Sequence, residues 1–271
     1  MNIFTYEDYI KCIHTLRLNS VFQLAEDEAE YNYEQKKDKN IYKDIIHIIL
    51  EDTEEITKLI NNYIEIEEKV NKEELERYES KFASNRYKLR RDDILYKFKS
   101  RDIYFLIKYQ DEKDDNILYN MLNYCVDIIY DWNVNVKIKE NIKYPIVVPI
   151  LIYDDNKKCK ITNDFSQMQV DDYIFDDYKI YFKYNLIEIN KLTLNNLIQK
   201  KDLFSNIIAL KKVKSYKEFE EILTKIIKMA DDKKLKKIKE YLRKIVENSY
   251  KQFCEEEVKF FENKIDEKIK K

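Results

Sequence analysis

The sequence predicts a mixed α/β core flanked by helices. Three observations predict it. Two adjoining short segments within 91–110 are rich in Ile, Leu, Tyr and Phe. A ten-residue apolar run occupies 144–153. Apolar residues recur at helical spacing on either side of both. No internal repeat of fixed period interrupts this order.

Residues 1–38 read as irregular helix, with Gln35–Lys39 as a charged linker. Ile45, Ile46, Ile48 and Ile49, then Ile56, Leu59, Ile60 and Tyr63, predict a helical pair over 41–64. Asp52 or Thr53 can cap the second helix, with Glu54 and Glu55 at its positive end. A charged stretch follows. RRDDILYKFK and RDIYFLIKYQ then read as a β-hairpin around Ser100-Arg101-Asp102, an unusual turn because it lacks Gly. Helical spacing returns at 114–132, where Leu118, Met121, Leu122, Cys125, Ile128 and Ile129 form a stripe. The run Tyr144–Tyr153 reads as a buried strand. Pro145 marks its start, and Pro149 a position that donates nothing to a ladder. A further strand is predicted over 178–189. Everything from 192 onward reads as helix: 203–213, 216–229 and 232–270.

The 271 residues include no Gly, two Pro and 23 Tyr. Without Gly there is no P-loop, no dinucleotide fingerprint and no nucleophile elbow, because each needs a backbone that Gly alone adopts cheaply. The net charge of −2 hides a split. Residues 1–200 carry 30 basic and 38 acidic side chains (−8), and residues 201–271 carry 20 and 14 (+6). A basic tail can approach phosphates, although Lys on the outer face of a solvated helix is the commoner use. Cys12, Cys125, Cys159 and Cys254 are scattered, and only His14 and His47 accompany them, which argues against a zinc site. Scattered thiols and a start lacking a signal-peptide core suit the cytoplasm. The apolar run at 144–153 is too short to span a bilayer, so no membrane association is expected. His47, between Ile46 and Ile48, reads as an ordinary helix residue. The tyrosines at 119, 124 and 130 read as core and rim packing.

The hairpin is where chemistry can sit. Alternate strand residues share a face. Asp93, Leu95 and Lys97 therefore point one way on the first strand, as do Leu106, Lys108 and Gln110 on the second. A carboxylate facing polar groups across a hairpin can hold Mg²⁺ for phosphodiester cleavage. The same residues also read simply as solvated strand ends.

The segments KEELERYESKF, RRDDILYKFKSRDIYFLIKYQ, YNMLNYCVDII and YPIVVPILIY, in that order, resemble the recombination-promoting nuclease and putative transposase family, the YhgA-like group. The resemblance extends over 38–213, with IYKDIIHIIL similar to the family's opening helix. It implies a PD-(D/E)XK, restriction-endonuclease-like α/β core with a mixed sheet, flanking helices and a helical C-terminal extension. The implied domains are a helical N-terminal extension at 1–40, the nuclease-like domain at 41–200 and a helical region at 201–271. The implied chemistry is Mg²⁺-dependent DNA endonuclease action, with DNA as partner. Apart from the resemblance, the final helix carries Leu235, Ile238, Leu242, Ile245 and Val246, a stripe that packs on the body by default or pairs with another copy as a homo-oligomer. Asp93 matches the metal-binding Asp and Gln110 the family's Gln. Lys108 stands where the family has its catalytic Glu, and Tyr109 where it has His. An ammonium cannot ligate Mg²⁺ and repels it, which leaves Lys108 at most a phosphate contact. Glu112 is a candidate substitute ligand, and Asp38 or Asp44 a candidate acid near the first family helix. A second reading follows from Lys108: a catalytically degenerate copy that binds DNA or a protein partner. A third is a structural helical adaptor.

Overall fold

The computed structural model describes residues 41–78, 93–135, 143–154, 162 and 164–248, together with 259, 260, 263, 265, 266 and 268. The predicted N-terminal helix, the linker, Asp38, Cys12, Cys159, Cys254 and His14 lie outside the described residues. The chain divides into two units at Ile41–Tyr42, and the described elements build the second.

Helix α1 (41–50) and helix α2 (Thr53–Tyr63) form the predicted pair. Asp52 is the cap: its Oδ1 accepts the amides of Glu54 at 3.0 Å and Glu55 at 3.2 Å. Strand β1 (Leu75–Arg77) follows, then β2 (Asp93–Phe98) and β3 (Ile103–Gln110). The predicted hairpin is present and antiparallel. Its link, 99–102, has four residues, so it is not one of the two-residue turns that call for Gly. The Arg101 guanidinium lies over the Phe98 ring at 3.9 Å, and the Lys99 amide bonds Glu74 O, tying the turn to the residue before β1.

Helix α3 (Ile117–Asn135) crosses over to β4 (Ile146–Tyr153), which runs parallel to β3. The Asp114 carboxylate accepts the Asn116 amide beside the start of α3. Its buried stripe is rotated from the predicted one: Tyr124, Asp131 and Trp132 are buried, whereas Leu122 and Ile129 are only half-buried. Tyr119 and Tyr130 are exposed rather than core. Pro149 is tolerated inside β4 because its carbonyl points to the β5 side and accepts from the Asn185 amide at 3.2 Å; β5 pairs only from Ile150 onward.

The predicted strand over 178–189 shrinks to β5 (Asn185–Glu188). Residues Tyr173–Tyr178 wind into a 3₁₀ turn that Asp172 caps, and the Gln169 amide takes both the N–H and the carbonyl of Ile180. Those backbone groups are then not available to a ladder. The five strands lie in the order β1-β2-β3-β4-β5, antiparallel as far as β3 and parallel beyond.

The C-terminal run is broken into α4 (Leu194–Gln199), α5 (Leu203–Leu210), α6 (Tyr216–Met229) and α7 (Asp232–Asn248). Asp202 sets the break before α5. Its Oδ1 accepts the Ser205 amide at 2.6 Å, and its Oδ2 accepts Ser205 Oγ and Asn62 Nδ2. Buried Glu55 of α2 accepts the Leu203 amide at 3.0 Å and pairs with Lys58 and Lys234. One carboxylate thus serves the start of α5 and anchors α7. Ile222, Leu223, Ile226, Leu235, Ile238 and Leu242 are buried at helical spacing, which is why these lysine-rich segments stay on the body. No helix among the described residues is long and apolar enough to cross a membrane.

Candidate functional site at the end of the hairpin

The ladder fixes which hairpin residues share a face. Asp93 pairs with Lys108, Leu95 with Leu106 and Lys97 with Tyr104. Across the parallel ladder, Lys108 pairs with Leu151 and Gln110 with Tyr153. Positions 93, 108 and 110 therefore have one parity, the parity of Leu95 and Leu106. Those two leucines pack with Tyr124, Cys125, Ile128 and Trp132 of α3, so the site face is the α3 face.

Lys108 is only 4% exposed. Its Nζ lies 5.3 Å from the centroid of the Tyr124 ring, where the π face favours a cation by about 1–2 kcal/mol in a desolvated setting. The ammonium is thus largely shielded from water. Gln110 is half-buried at the end of β3 and donates from Nε2 to Glu112 O at 2.8 Å. Glu112 is exposed and lies past the end of β3, so strand alternation does not aim it at this face. Asp44 is exposed on α1.

The donor set does not suit Mg²⁺, a hard cation that takes carboxylates and water at about 2.1 Å. Position 108, across the ladder from Asp93, holds an ammonium, which cannot ligate a cation. Among the described residues, no group of three or more His, Cys, Asp or Glu can hold a metal ion.

Behind this face lies a cluster that the sequence reading missed. Tyr109 has the opposite parity to Lys108 and Gln110. With Ile94 and Ile107 of the sheet and Ile46, His47 and Leu50 of α1, it lines a small cavity between sheet and helix. Its hydroxyl donates to Asp154 Oδ2, and Lys211 Nζ lies 2.6 Å from Oδ1 of the same carboxylate. Asp154 is 1% exposed, and its amide donates to Gln110 O at 2.8 Å. Burial and the adjacent carboxylate push the Tyr109 phenol well above its ordinary pKa, so it stays a donor. The Lys211 ammonium also sits 5.7 Å over the Tyr42 ring. The available signal was an acid directly after the apolar run 144–153; its partners lie 45 and 57 residues away.

Sheet and site together define an α/β protein with an antiparallel hairpin, a crossover helix and a polar face at the hairpin's open end. A family model described as "Putative transposase, YhgA-like" matches residues 41–262, and the chain belongs to that family. No curated protein and no solved structure matches it.

Proposed function

We propose that this chain is a PD-(D/E)XK-type member of its family that binds DNA and does not cut it. The hairpin, crossover helix and parallel β4 support that core type. The observation that carries the function is Lys108, buried across the ladder from Asp93 at the place where the family has a catalytic carboxylate. A positive charge there excludes the metal and leaves no group to generate hydroxide. The family membership and the basic C-terminal helices support DNA as the partner. Helix α7 alone carries seven basic residues against three acidic ones, and Lys233, Lys236, Lys237 and Lys244 are exposed.

The test uses plasmid DNA with Mg²⁺ or Mn²⁺. The natural chain is expected to bind, with affinity falling steeply as salt rises, and to leave the plasmid intact. Lys108→Glu is expected to gain metal-dependent nicking that Asp93→Ala removes again. Cleavage by the natural chain would establish the endonuclease reading instead. Absence of DNA binding at low salt would leave the adaptor reading.

A further inference from the structure

The crossover between β4 and β5 carries a surface that the site does not use. Within Met168–Tyr181, the side chains of Val170 (85%), Tyr173 (86%), Ile174 (65%), Phe175 (58%), Tyr178 (83%) and Tyr181 (67%) are exposed. The segment is nonetheless ordered from within. The Gln169 amide clasps Ile180 through two hydrogen bonds, at 2.9 and 3.1 Å. Asp172 caps the 3₁₀ turn, and Lys179 bridges Asp171 and Asp176. Phe165 N bonds Phe182 O at the base, and both rings pack against the core. An internally fastened loop that turns its aromatic side chains outward is preorganised to dock.

Size and charge indicate the occupant. The four aromatic side chains, 58–86% exposed, offer on the order of 600 Å² at roughly 150–250 Å² each, and Val170 and Ile174 add to it. A soluble monomer's largest apolar patch is about 300–600 Å², and a stable interface takes about 800 Å² from each partner. The loop is acidic: Asp171, Asp172, Asp176 and Asp177 stand against Lys179 alone. Two such loops face to face would repel. The complementary surface on this chain is the lysine face of α7.

We propose that a second copy of this chain covers the loop: each Met168–Tyr181 segment docks on the exposed α7 lysines of the other copy, giving a two-fold pair. The acidic loop then occupies lysines that DNA phosphates would use, so pairing and DNA binding compete.

Sedimentation equilibrium of the full chain, without DNA, tests this independently of the DNA-binding proposal. A dimer is expected at low salt, weakening as salt rises. Tyr173→Ser with Tyr178→Ser is expected to weaken the dimer at least tenfold with unchanged melting, because both side chains are solvent-exposed. Asp171→Lys with Asp177→Lys should dissociate it, and adding Lys236→Glu with Lys237→Glu should restore it. A natural chain that stays monomeric at every concentration overturns the proposal. So does a dimer indifferent to the loop substitutions, or a charge reversal that restores nothing.

Discussion

Lys211, just past the last turn of α5, holds the Asp154 carboxylate at 2.6 Å from the far side of the sheet that carries Lys108 and Gln110. Because the Asp154 amide is bonded to Gln110 O, this pair fastens the end of β3 to the C-terminal helices. Lys211→Ala removes the charge partner of a buried carboxylate and should cost about 3 kcal/mol, a melting temperature fall of roughly 5 °C for a chain this long. Tyr109→Phe removes the other donor and should cost about 1–3 kcal/mol. Urea denaturation of both single variants and the double one measures the coupling. Simple additivity would mean that the two donors do not act on one carboxylate.

Asp202 makes stability depend on pH in a particular direction. Burial raises its carboxyl above 3.8, overcoming the hydrogen bonds from Ser205 and Asn62 that lower it. The folded protein therefore keeps a proton that the unfolded chain has already released. The stabilisation this gives is full below pH 3.8 and is lost as pH rises through the raised value. Asp202→Asn cannot titrate. Its stability relative to the natural chain should accordingly improve across that window and then level off. Denaturation midpoints of both proteins from pH 3 to 7 check this; a pH-independent difference contradicts it.

Cys125 faces the core against α3's sheet contacts, and burial pushes its thiol up to about 12. At pH 8 its thiolate fraction is about a thousandth of that of an exposed cysteine. Iodoacetamide followed by peptide mass mapping should leave Cys125 unmodified in the native protein and label it fully in urea. Rapid native labelling would show that the α3 face opens.

Some of this was legible from local pattern. Alternation in DILYKF put Asp93 with Leu95, and alternation in IYFLIKYQ put Lys108 and Gln110 with Leu106, since strand parity is a property of neighbouring residues; that the two sets share one face came from the ladder, which pairs Asp93 with Lys108. The caps are local too: Asp52 before two glutamates announces the start of α2. The YhgA-like membership was also legible, from four motifs in their order. What local pattern lacked was strength at short elements. Strand β1 has three residues and a single buried apolar one, so it exists only because β2 offers a ladder. The strand predicted at 178–189 lost its first half to Gln169, a residue eleven positions from the Ile180 it binds.

By itself the sequence determined the helical pair α1 and α2, the hairpin, helix α3 and strand β4, and placed a lysine at position 108. Tertiary structure alone decided that Lys108 is buried under Tyr124, that Tyr109, Asp154 and Lys211 converge, and that the crossover loop turns its aromatics outward. The reason is range. Periodicity and capping act over a few residues along the chain, whereas burial and ion pairing depend on groups that meet only once the sheet and its helices have closed around them.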